Sequence, residues 1–276
     1  MSILQTTCCH SRVFSIRCTL VLLFLVSCST PSVCLAEGDS LQLEASLVLK
    51  KSIEFYSTQA RHGGYVYHFN LDTNQRWGEG LASDTQVWVQ PPATPTVGMA
   101  YLKAYEVTGE PSYLRYATAA GRALVYGQLK SGGWTNSIDF DPKSNRAALY
   151  RNGKGRERNY SSLDDGQTQS AIRLMVALDN ALKFQDPQIH ESATVALESL
   201  LAAQFPNGGF PQVWSGPVSS EGDVLSSKSA GYPDYDWRTQ GRIKEYWNMY
   251  TINDNVTGYV AETLRDAYRV YDDKNT

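Results

Sequence analysis

The chain has 276 residues, with 25 Lys and Arg against 28 Asp and Glu, and 42% hydrophobic side chains. That acidic balance cannot neutralise a run of phosphates and excludes a basic nucleic-acid binder, while 17 Tyr, 8 Phe and 6 Trp exclude a disordered polar chain. All five Cys fall in the first 34 residues, so the body has no disulfide scaffold, thiol nucleophile or Cys-ligated zinc.

Residues 1–36 read as a secretory leader. Arg12 and Arg17 open it, and the apolar run from Thr19 to Val26 is too short to span a membrane. Cleavage can follow Ala36, with small residues at Cys34 and Ala36; alternatively Leu25-Val26-Ser27-Cys28 resembles a bacterial lipobox, which would leave Cys28 lipidated. The expected protein is secreted or periplasmic, with a lipid anchor at Cys28 as the variant outcome. The body, residues 37–276, holds 23 cationic and 28 acidic side chains, a net charge of −5, and no second apolar stretch. We expect no membrane span and a monomer.

Apolar residues then recur at helical spacing. Ala45, Val48, Leu49, Ile53 and Tyr56 share one face, followed by Gln59 to Tyr65 (QARHGGY). Val97, Ala100, Tyr101, Ala104 and Tyr105 form the next face, and Thr108 to Pro111 make a short turn. Tyr113, Tyr116, Ala117, Ala120 and Leu124 return, ending in Gln128 to Trp134 (QLKSGGW). The cycle repeats with Ala171, Leu174, Met175, Leu178 and Leu182, the turn Gln185-Asp186-Pro187, then Ala193, Ala196, Leu197, Leu200 and Leu201, and Gln204 to Phe210 (QFPNGGF). Val256, Tyr259, Val260, Leu264 and Ala267 form a last face. Short turns imply antiparallel hairpins, and Gly-Gly after a helix is a stop signal. The pattern predicts an all-α fold, an α/α toroid of helical hairpins with long functional loops and strand confined to those loops. By the repeat, a further helix and loop belong after Tyr271, so the toroid is expected to be incomplete in this chain.

Two acidic motifs stand at the starts of helices in equivalent repeat positions: Tyr160 to Thr168 (YSSLDDGQT) and Tyr250 to Val256 (YTINDNV). Each could simply cap its helix. Projecting from one end of a toroid, their carboxylates could instead converge as an oxygen-rich calcium site or as the acid and base of a glycoside hydrolase. Between them, Arg146 to Arg158 carries five cationic residues against Glu157, either a solvated loop or a grip for a polyanion. The loop from Asn207 to Trp214 offers aromatic and amide groups that suit a carbohydrate cleft or a core plug equally.

The Asp164-to-Thr168 motif, the stretch from Asn207 to Gln212 (NGGFPQ) and Tyr250 to Asn255 (YTINDN) resemble the family 10 polysaccharide lyases, the pectic acid lyases, whose motifs read roughly Asp-Asn-Gly-Ala-Thr, Gly-Gly-Trp-Pro-Gln and Thr-Phe-Asn-Asp. Trp88 to Pro92 and the segment from Gly132 to Pro142 are similar to an exported, planctomycete-type branch. The resemblance implies calcium-assisted β-elimination on polygalacturonate or pectin. It implies catalytic roles for Asp164 and Asp254, calcium at Asp164, Asp165 and Asp254, and substrate contacts from Asn253, Gln212, Trp134, Arg151 and Arg158. The family's base is an arginine in its C-terminal part, and no Arg here matches it by motif. Asp165 stands where the family often has Asn. A glycoside hydrolase using Asp164 and Asp254, and a non-catalytic pectin-binding relic, are the competing readings. The Gly-Gly-aromatic repeat is also similar to terpene cyclases, but no Asp-rich diphosphate motif accompanies it.

Overall fold

The computed structural model describes residues 37–217 and 255–272. Leader calls, and those on Asn253 and Asp254, lie outside the described residues. The chain divides into units Met1–Ser46 and Leu47–Thr276. Only the opening turns of helix α1 (Glu37–Thr58) are described in the first unit.

Four short strands follow α1: β1 (His68–Phe69), β2 (Arg76–Trp77), β3 (Leu81–Ala82) and β4 (Gln86–Trp88). Helices α2 (Thr94–Thr108) and α3 (Pro111–Gly127) pack as a hairpin. A loop with β5 (Ser137–Asp139) and β6 (Ser161–Ser162) leads to α4 (Gln167–Ala181) and α5 (Pro187–Ala202), which pair likewise. Strand β7 (Val213–Trp214) and helix α6 (Val256–Asp272) complete the described elements.

Local chemistry sets these boundaries. Gly109 closes α2 at φ +70°, its N–H donating to the Tyr105 carbonyl at 2.7 Å. Pro111 opens α3, and Glu110 accepts from the Ser112 amide. Asp186 accepts from the amides of Gln188 and Ile189 at the start of α5. The predicted faces of α3, α4 and α5 supply one core, with Ala117, Ala120, Leu124, Ala171, Leu174, Met175, Leu178, Ala193, Ala196 and Leu200 almost wholly buried. Helix α1 departs from its predicted face: Ile53 is buried, while Val48 and Tyr56 are exposed. Tyr56 instead packs edge-on against Phe69.

The three Gly-Gly segments form related turns. Gly63, Gly132 and Gly208 are left-handed at φ +83°, +96° and +87°. In the second and third turns the Gln side chain clasps the loop, Gln128 Nε2 donating to the Gly132 carbonyl at 2.8 Å and Gln204 Nε2 to Gly208 at 3.0 Å. The aromatic that follows is buried each time: Tyr65, Trp134 and Phe210. A threonine at the next helix start then staples two of these aromatics. Thr168 Oγ1 accepts from the Trp134 N–H and donates to its carbonyl, both at 3.0 Å. Thr94 does the same for Tyr65 at 2.9 and 3.3 Å. A Cβ at Gly133 would lie 2.9 Å from Thr168 Oγ1 and 2.7 Å from Ser161 Oγ, so the second glycine is needed for close approach.

Antiparallel strand pairs stitch each loop to the next. Val87 faces Ile138 across β4 and β5, and Ser162 faces Val213 across β6 and β7.

Helix α6 is held to α4 at two points. Tyr271 donates to the buried Asp179 carboxylate at 2.8 Å, beside His190 Nδ1 at 2.7 Å on the same oxygen. Burial and that carboxylate raise the Tyr271 hydroxyl well above its ordinary range. Arg173 of α4 pairs with Glu262 at 3.1 Å and with Asp266 at 2.9 Å. Burial disfavours the Asp266 charge, but the hydrogen bond from Arg265 and the Arg173 guanidinium outweigh it and hold this carboxyl below its usual range. A depressed folded value means that the stabilisation is complete above the unfolded value, about 3.9, and is lost as pH falls through the folded one. Asp266→Asn is therefore expected to cost about 1 kcal/mol at neutral pH, with the difference in melting temperature closing only in strong acid. An unchanged difference across that range would remove Asp266 as the acid-sensitive contact.

Candidate active site

The loops gather at one cleft of about 970 Å³. Glu79 enters from the turn between β2 and β3, and Thr135 and Asn136 from just after the second Gly-Gly turn. Arg158 to Tyr160, Ser162, Asp164 and Gln167 come from the approach to α4. Pro211 to Trp214 come from the third turn. The Leu163 amide donates to the Gln212 carbonyl at 2.7 Å, fixing the last two stretches side by side.

Asp164 begins a 3₁₀ turn, Asp164–Gly166, and its amide donates to Ser162 Oγ at 3.1 Å. Asp165 and Gly166 are left-handed, at φ +46° and +73°. For Asp165 that conformation costs on the order of 1–2 kcal/mol. The turn sends the neighbouring carboxylates different ways. Asp164 lines the cleft, whereas Asp165 is exposed and accepts from Gln90 Nε2 at 2.9 Å. Gln90 Oε1 in turn accepts from Gln167 Nε2 at 3.2 Å. Glu79 accepts from Asn136 Nδ2 at 3.0 Å. The Tyr67 hydroxyl is pushed above its ordinary range by burial and then by the Glu79 and Asp165 carboxylates, so it stays protonated at any ordinary pH.

Of the sequence-predicted residues, Asp164, Arg158 and Gln212 line this cleft together. Trp134 is corrected: it is 0% exposed, and its Nε1 donates to the Leu124 carbonyl at 2.8 Å, so it plugs the core rather than meeting substrate. Arg151 is corrected too. It lies outside the cleft lining, its Nε donating to Gln128 Oε1 at 3.0 Å and its Nη1 to Glu191 at 2.6 Å. The hydrogen bond and charge of Arg151 hold the Glu191 carboxyl below its usual range. Arg151 thus braces the Gln128 clasp against α5. Of the calcium candidates Asp164 and Asp165, Asp164 is the one among the residues that line the cleft, and Asp165 accepts from Gln90. Among the described residues no group of three or more His, Cys, Asp or Glu is arranged to hold a metal. Asp254, the remaining calcium and catalytic candidate, and the substrate candidate Asn253 lie outside the described residues.

Sequence reasoning missed Glu79 and Asn136, and named Tyr160 and Trp214 only as ends of the first acidic motif and of the Asn207-to-Trp214 loop. Glu79 had no local signal, since only the fold brings that turn to the cleft.

A family 10 polysaccharide lyase from Cellvibrio cellulosa shares 15% sequence identity with this chain, over 63% of this chain and 53% of that structure, at a TM-score of 0.39. The chain thus spans about half of that structure's length. No curated protein matches. The pectic acid lyase family matches residues 128–276, more than half the chain and the segment that supplies most of the cleft. The chain therefore belongs to the pectic acid lyase family.

Proposed function

We infer that the protein is an exported pectate lyase that cleaves polygalacturonate by β-elimination, its helical hairpins being arcs of an α/α toroid. The observation that carries this reading is Asp164. It lies in the segment matched to the family and faces a cleft with a guanidinium, Arg158, and the amides of Asn136, Asn159, Gln167 and Gln212. A uronate chain presents carboxylates and hydroxyls, which such a lining pairs.

In the reaction the C5–H bond breaks to a base, the C4–O4 bond breaks with its electrons leaving on oxygen, and a C4–C5 double bond forms. Beside an ionised carboxylate that proton is barely acidic. Arg158 draws the carboxylate and lowers the cost of the charge that develops next to it. Asn136, Asn159 and Gln212 orient the ring hydroxyls, and the face built by Pro211 and Trp214 shields one side from water. Calcium, held by Asp164 with Asp254, would neutralise the C6 carboxylate when bound. Asp164 is a fitting hard oxygen ligand, and the further ligands that calcium needs would come from water and the substrate's own carboxylates.

The test is to incubate the chain with polygalacturonate and calcium and follow ultraviolet absorbance. Unsaturated oligogalacturonides, lost on adding excess chelator, are expected. Saturated reducing ends without absorbance would mean a glycoside hydrolase, and binding without turnover would mean a relic.

A further inference from the structure

The cleft uses only part of the basic run from Arg146 to Arg158. Arg158 lines the cleft and also a second cavity of about 710 Å³, which Arg156 lines with it. The two cavities thus share Arg158 as a common wall, and Glu157 is the one acid in the second lining.

Backbone bonds hold both arginines in place. The Arg156 amide donates to the Ala148 carbonyl at 3.0 Å, and the Leu149 amide to the Arg158 carbonyl at 2.8 Å, so residues 156–158 run against the buried Ala148. Gly155 permits that approach: it is left-handed at φ +91°, and a Cβ there would sit 1.9 Å from the Ala148 oxygen. Both side chains then cross the same turn. Arg156 Nη1 donates to the Lys143 carbonyl at 3.4 Å, and Arg158 Nη2 to the Arg146 carbonyl at 2.9 Å. Three residues of chain can part those carbonyls by no more than about 11 Å. Arg146 pins the turn in its turn, its Nη1 donating to the Leu81 carbonyl at 3.0 Å.

The paired guanidiniums lack a counter-charge. The body holds 23 cationic and 28 acidic side chains, yet among the described residues neither Arg156 nor Arg158 has a carboxylate partner, whereas Arg151 of the same run pairs with Glu191. A guanidinium offers five N–H groups in a fork that suits carboxylates. Arg156 is exposed and gives one nitrogen to the protein.

We propose that Arg156 is an outer carboxylate-binding residue: a polyuronide lying in the cleft passes Arg158 into the second cavity and sets a further carboxylate on Arg156, so that the grip grows with chain length. This rests on the pectic reading of the cleft and adds to it a stretch of substrate bound beyond it. Lys154 of the same loop stands apart, its ammonium 5.3 Å over the Tyr126 ring and its side chain in neither lining.

Calorimetry with the full chain, in calcium, compares trigalacturonate with octagalacturonate. An oligomer that ends inside the cleft is indifferent to Arg156, and one that runs past Arg158 is not. Arg156→Gln is expected to narrow the wild-type preference for the octamer by about three- to fivefold, through the octamer alone. Arg156→Lys, which keeps the charge without the fork, should recover part of it. Lys154→Gln removes one charge from the same loop and should move the preference by less than about 1.5-fold. The Arg156 side chain bonds only to its own loop, so the melting temperature of its variants should match wild type. A preference unmoved by Arg156→Gln, or lowered equally by Lys154→Gln, would overturn the inference and leave the pectic reading standing. Wild-type binding of neither oligomer would overturn both.

Discussion

Replacing Asp164 with alanine is expected to lower the release of unsaturated oligogalacturonides by about 10²–10³-fold, while shifting the melting temperature by no more than a few degrees. The side chain is half-buried in a cleft wall, and the local turn is also held by the Asp164 amide on Ser162 Oγ and the Leu163 amide on the Gln212 carbonyl. The backbone should therefore survive the truncation. What disappears is the carboxylate in the cleft. A cation bridge lost with it would weaken binding and transition-state stabilisation together, so kcat/KM should fall more than kcat. Activity within about threefold of wild type would remove Asp164 from the site.

Trp134→Ala is expected to do the opposite: cost roughly 3–5 kcal/mol of stability and leave the chemistry of the remaining folded molecules intact. The indole is wholly enclosed, and its N–H satisfies the last turn of α3 at Leu124. Truncation opens a cavity and strands that carbonyl. Chemical denaturation and the initial rate, measured well below the melting point, separate the two effects. A stable variant that has lost substrate affinity would restore Trp134 to the cleft.

That contrast shows what could be read from residues alone. The faces of α3, α4 and α5 were legible because 3.6-residue periodicity and Gly and Pro punctuation are local signals. The Asp164 motif was legible because its residues are contiguous. Trp134 was not, since Gly-Gly-aromatic segments suit a sugar platform and a core plug equally, and burial is decided by the threonine stapled across it from 34 residues away. Arg151 failed for a related reason. A basic run looks uniform, yet Arg158 is among the residues that line the cleft, with its Nη2 on the Arg146 carbonyl, whereas Arg151 is committed to Glu191. Neighbouring Asp164 and Asp165 differ in setting because Asp165 is itself left-handed, which no spacing rule displays.

The threonine staples also bear on how such a chain changes over time. Thr94 meets Tyr65 across 29 positions and Thr168 meets Trp134 across 34, so each long loop leaves and rejoins the helical frame at a single pinched neck. Lengthening a loop that is already closed adds little entropic cost, because the closure term grows only logarithmically with length. Inside the neck, Arg151 and Asn152 remain tied to α5 and α3, so insertions, deletions and new side chains can accumulate between those ties and the neck without disturbing hairpin packing, and the frame can carry altered specificities as interchangeable cargo.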